Sequence, residues 1–166
     1  MKNWLKTSAL MLFLLPLAVQ SASAIAEDQA PVMPLRFLSP DLANQAVTAA
    51  VADCTKRGYK VAVAVVDRAG NLAAFLRDPL SGPHTIKVAQ GKAFTAATLQ
   101  AVTSQVTNRP DLRFAPGILL MIGGVPISAG GHFYGGIGVA GADPEIDEVC
   151  GMTGVNAITE TLEFAD

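Results

Sequence analysis

The chain has 166 residues, 12 of them basic and 14 acidic, for a formal charge of −2. A balance this even, with no basic run and no aromatic–basic interleaving, excludes a nucleic-acid surface. Two cysteines, Cys54 and Cys150, form no C-x-x-C pair and are too few for a structural zinc site of the usual four ligands.

The N-terminus decides the compartment. Lys2 and Lys6 precede an apolar run from Ala9 to Val19, interrupted by Pro16, and then Ala22-Ser23-Ala24-Ile25-Ala26. This is the pattern of a secretory signal peptide over residues 1–26, cleaved after Ala24 or Ala26. The run is shorter than the roughly 20 apolar residues a bilayer requires. The expected product is periplasmic or secreted, with no membrane attachment after cleavage. Removal of the leader leaves 10 basic and 14 acidic residues, a charge of −4. About 140 residues then remain, enough for one domain with a real core and too few for two.

Residues 27–37 read as an extended lead-in, and 38–166 as a single domain. Ser39-Pro40-Asp41 offers a helix start, and Gly58 stops that helix after Arg57. Val61 to Asp67 and Leu72 to Arg77 are apolar runs joined by Arg68-Ala69-Gly70-Asn71, a β-hairpin signature. Gly82-Pro83 opens a second helix, with His84 as its second residue, running to about Thr98. Residues 100–116 read as a broken helix and loop, with Pro110 and Pro116 as breakers. Ile118–Ile122, Val125–Ser128 and His132–Val139 read as three further strands, turned at Gly123-Gly124 and Ala129-Gly130-Gly131. Asp143-Pro144 starts the last helix, whose Glu145, Asp147 and Glu148 suit its positive end. The order predicts an α/β (α+β) sandwich, with about five mainly antiparallel strands covered by helices.

Few side chains suggest chemistry. A helix start favours the neutral imidazole that a metal or haem iron takes as ligand, which singles out His84. Helical spacing puts His84, Val88 and Lys92 on one stripe, with Gly91 and Thr95 beside it. Gly91 leaves room for a strand, a subunit or a flat ligand. Lys92 is either a solvated charge or a partner for a carboxylate such as a haem propionate. Arg77 either holds a ligand carboxylate or stands exposed at its strand end. His132, at a hairpin tip, reads first as a surface residue. Cys54 and Cys150 sit on the apolar faces of two helices, so they form either a disulfide or two buried thiols. Gly136 to Gly141 fits G-x-G-x-x-G, but its apolar residues continue as a strand. No helix opens there and no second strand follows, so the dinucleotide reading fails. No Ser/His/Asp order, paired catalytic carboxylates or metal cluster is legible, which favours a binding protein over an enzyme. No C-x-x-C-H is present, so a haem would not be covalently attached.

Several pieces, in this order, resemble the GlcG/HbpS family of haem-binding-type domains. They are Val61-to-Asp67 with its hairpin to Arg77, Gly91-Lys92-Ala93-Phe94-Thr95-Ala96, Gly123-Gly124-Val125-Pro126-Ile127 and Gly135 to Gly141. The resemblance spans roughly Leu38 to Leu162. It implies a profilin-like layout, Lys92, Ala93, Thr95 and Ala96 beside a pocket, and a homo-oligomer. For function it implies an exported haem-binding protein used in sensing, storage or handling. Two alternatives stay open. One is a binder of a small organic acid, or an accessory protein in its metabolism, using Arg77, Lys92 and His84. The other is an enzyme acting on haem or a small metabolite.

Overall fold

A computed structural model describes residues 32–165. The expected signal peptide and the start of the lead-in lie outside the described residues. The elements are α1 (Pro40–Lys56), β1 (Ala62–Asp67), β2 (Leu72–Arg77), α2 (Thr85–Leu99), β3 (Gly124–Ala129), β4 (His132–Ala140) and α3 (Pro144–Glu163). Two 3₁₀ turns, Thr103–Gln105 and Pro110–Phe114, fill the expected broken segment. The strands form one antiparallel sheet in the order β2-β1-β4-β3.

The sheet therefore has four strands, one fewer than the sequence suggests. Ile118–Ile122 is the strand that does not form. The backbone turns there, with the Met121 amide bonded to the Leu119 carbonyl. The Leu119 amide is taken by Thr95 Oγ1 at 2.7 Å. Leu119 also packs on Gly91, so this apolar run covers α2 rather than joining the sheet.

Helices α1 and α3 cover one face of the sheet. Ala43, Ala46, Val47, Ala50, Val155, Ile158 and Leu162 pack there on Val61, Val63, Val65, Ile127, Ile137 and Val139. Helix α2 covers the other face, where Ala89, Ala93 and Ala97 meet Ala62, Ala64, Val66 and Ala140. Burial on both faces explains why β1 is a continuous apolar run and not an alternating one. The close approach of α2 depends on Gly136 and Gly138 of β4. A Cβ at either would run into α2 backbone: Ala93 O and Ala97 N at Gly136, Ala89 O and Ala93 N at Gly138.

The starts of α1 and α3 follow the sequence signals. Ser39 caps α1 by accepting the Leu42 amide at 3.3 Å, with Pro40 at the first position. Cys54 of α1 and Cys150 of α3 are joined as a disulfide, with Cα atoms 5.7 Å apart and a sequence separation of 96. Val149, next to Cys150 in sequence, is exposed, because the buried stripe of α3 runs through Asp147, Cys150, Gly151 and Gly154.

Candidate functional site

The segment leading into α2 is tied down residue by residue. Asp78 Oδ1 accepts the Leu80 amide at 2.8 Å. Arg77 donates from its guanidinium to the Ser81 carbonyl. The hydroxyls of Ser81 and Thr85 pair at 2.9 Å, and Thr85 Oγ1 donates to the Gly82 carbonyl at 2.6 Å. Pro83 and His84 are held in this turn, so α2 begins at Thr85, with His84 as its cap residue and not its second helical residue. The His84 side chain makes no capping bond. Its ring folds back over Gly82: a Cβ there would stand 2.8 Å from Nδ1 and 3.9 Å from Nε2. The Cε1–Nδ1 edge of the imidazole thus faces Gly82, with Nε2 farther off.

From that start, His84, Val88 and Lys92 fall on one stripe by i, i+4 spacing. All three line a cavity of about 210 Å³, together with Met121, Ala140, Gly141, Ala142, Pro144 and Asp147. Lys92 is 2% exposed, a finding opposite to the solvated charge that its residue type suggests. Its Nζ donates to Asp147 Oδ2 at 2.7 Å and to the Val139 carbonyl at 2.9 Å. Asp147 Oδ1 accepts the Ala142 amide at 3.0 Å. Burial pushes the Asp147 carboxyl above the usual carboxylate range, against the pull of the Lys92 ammonium and of the Ala142 and Gly141 amides. Gly123 makes the pair possible. A Cβ there would stand 2.7 Å from Asp147 Cβ and 2.8 Å from Lys92 Nζ, and its φ of +119° suits glycine alone.

The other residues singled out by sequence lie elsewhere. Gly91 faces a separate groove of about 310 Å³, lined by Lys87, Gln90, Phe94, Gly70 and Gly117 among others. Its missing side chain is taken up by Leu119. Arg77 is committed to the Ser81 carbonyl and lines neither cavity. His132 is exposed at the start of β4. Of the neighbouring aromatics, Phe133 lies under Arg68 at 5.3 Å. Tyr134 is buried in the α1–α3 core with its hydroxyl unpartnered. Asp147, Gly123 and Met121 are the site residues that sequence reading missed. Asp147 did carry a signal: it sits on the inward stripe of α3 with Cys150, Gly151 and Gly154. A carboxylate on that stripe requires a buried partner.

Residues 38–156 match the family described as haem degrading protein, HbpS-like. The chain belongs to the HbpS-like family. GlcG of Escherichia coli K12 is 31% identical over 109 residues, spanning 63% of this chain and 81% of that protein. Among solved structures, a double mutant of Streptomyces reticuli HbpS superposes with a TM-score of 0.74 at 37% identity, covering 83% of this chain and 98% of that one. A PduOC:heme complex superposes with a TM-score of 0.68 at 23% identity, covering 74% of this chain and 96% of that one. At that identity the likeness is one of fold.

Proposed function

We propose that this HbpS-like chain is an exported haem-binding protein, and that His84 supplies a nitrogen ligand to the iron. The observation that carries the reading is the placement of His84: exposed, uncapped, and at the mouth of an apolar-walled cavity beside Val88 and Met121. Family membership and the haem complex formed by a protein of the same fold support it. The fit sets a limit on how haem lies. A cavity of about 210 Å³ is smaller than the roughly 300–1,000 Å³ of pockets that enclose drug-sized ligands. Haem would be held at the cavity mouth by His84, with Val88 and Met121 as its apolar rim. Bound haem would supply an iron centre for ligand or redox chemistry; the chain supplies the imidazole and the apolar rim.

The organic-acid alternative is weaker on the same grounds. Of the three residues it would use, Arg77 is turned to a backbone carbonyl and Lys92 is neutralised by Asp147. Hemin titration followed by absorbance is the test. The expected result is a saturable Soret shift, at one haem per chain or one per two chains if two copies share it. His84→Ala is expected to weaken binding tenfold or more and to alter the Soret band, while His132→Ala changes neither. Unchanged affinity and spectrum in His84→Ala would remove His84 as the ligand. Export is part of this proposal. The leader pattern supports it, and a disulfide is the bond expected of an oxidising compartment.

A further inference from the structure

Lys92 and Asp147 line a cavity, although each side chain is only 2% exposed. As architecture alone the pair is a poor choice, since well-packed apolar residues in place of a buried ion pair are often neutral or stabilising. The rest of the lining is mostly apolar: Val88, Met121, Ala140, Ala142 and Pro144. The volume of about 210 Å³ corresponds to about seven waters at liquid packing, which suits a molecule of a few non-hydrogen atoms.

Charge decides what kind of molecule. Asp147 already neutralises Lys92, so an anion entering here would meet the Asp147 carboxylate without a spare cation. A neutral carbonyl compound would meet an amine whose proton acceptor stands 2.7 Å away. Two of the three ammonium hydrogens are committed, to Asp147 Oδ2 and to the Val139 carbonyl. The third has no partner among the described residues. Buried lysines are the residues that form Schiff bases with carbonyl substrates.

We propose that Lys92 is a reactive amine that condenses with a small neutral aldehyde or ketone in this cavity, with Asp147 carrying the proton. The ammonium passes one proton to the Asp147 carboxylate, and the freed lone pair of Nζ attacks the carbonyl carbon. A proton shift from nitrogen to the former carbonyl oxygen gives the neutral carbinolamine. Asp147 then returns its proton to the carbinolamine hydroxyl, which leaves as water while the C=N bond forms. The product is a protonated imine beside an Asp147 carboxylate, so the charge balance of the buried pair is the same before and after. No oxidant or reductant is consumed. The upward push of burial on Asp147 helps it hold the proton in transit.

The cavity is the one whose rim would hold haem, but the condensation needs no haem and is tested on the haem-free chain. The experiment treats the full chain with propanal and cyanoborohydride, which reduces the imine to a stable secondary amine, and maps the modified lysines by peptide mass. Lys56, Lys60 and Lys87 are exposed and serve as internal references. Lys92 is expected to be labelled at least ten times faster than each of them. Labelling of the exposed lysines with Lys92 left unmodified would overturn the proposal and leave the pair as architecture. Asp147→Asn is expected to slow labelling at Lys92 tenfold or more without changing Lys60. An equal rate in that variant would remove Asp147 from the reaction. In the wild-type chain, acetone is expected to compete with propanal at Lys92 and acetate is not; the reverse would show an anion site instead.

Discussion

Replacing Lys92 by methionine keeps most of the side chain's bulk but strands Asp147 as a buried carboxylate. That change is expected to destabilise the fold by about 3–5 kcal/mol, the usual cost of removing one member of a buried pair. The double variant Lys92→Met/Asp147→Leu is expected to recover much of the loss, and urea unfolding of the set measures both. Asp67 acts with the opposite sign of shift. Burial opposes its charge, yet hydrogen bonds from the Asn71 side chain and from the amides of Asn71, Ala69 and Gly70 hold its carboxyl below the usual range. A depressed carboxyl contributes stability that is present above its unfolded value, near pH 4, and lost as pH falls through the folded one. The stability gap between wild type and Asp67→Asn is therefore expected to be constant near neutrality and to close in acid. A gap that widens in acid would contradict this. The turn role of Asp67 was legible because Asp before a Gly-Asn turn bonds local amides. The partner of Lys92 was not legible, because it lies 55 residues away and no local pattern links the two.

At the scale of elements, the glycines of β4 carry the argument. The sequence reads Gly136-Ile137-Gly138 as strand, and in the structure α2 approaches it closely. Because the obstruction to a Cβ at Gly138 is the α2 backbone at Ala89 and Ala93, no side chain can yield to it. Gly138→Ala is expected to cost about 3 kcal/mol or more, the upper range for overpacking. Gly131→Ala, with open space around it, is expected to show only the smaller penalty of its positive φ. Thermal melts of the two variants separate these effects. Caps and turns were readable for α1, α3 and the hairpin because each is set by neighbouring residues. The segment Ile118–Ile122 misled because its apolar run suits a strand or a covering loop equally. Leu119 settles it by filling the space over Gly91, a contact visible only once α2 is in place. The start of α2 shifted for a similar reason, since Ser81, Thr85 and Arg77 fasten the turn before the helix.

Across the whole molecule, the sheet holds two unequal layers, and the Cys54–Cys150 bond lies in the heavier one. It joins the C-terminal end of α1 to the N-terminal half of α3, on the sheet face they share. The sequence put both cysteines on apolar helix faces but left open whether those helices are neighbours, and so left thiols and disulfide as alternatives. Side-by-side packing of α1 and α3 closes the question for the structure. The bond encloses a loop of nearly 100 residues, which in the chain-entropy treatment stabilises the fold by about 4–5 kcal/mol. Both sulfurs are fully buried, so native alkylation would fail for free thiols and disulfide alike. The informative measurement is alkylation after unfolding without reductant. The expected result is no modification, with two alkyl groups added only when reductant is present. Two groups added without reductant would refute the bond. The paired variant Cys54→Ala/Cys150→Ala is expected to lose close to the entropic stabilisation plus a small packing term. Hemin titration is expected to be unaffected by it at temperatures where the variant stays folded, because His84 is fixed by the turn before α2, on the opposite face of the sheet.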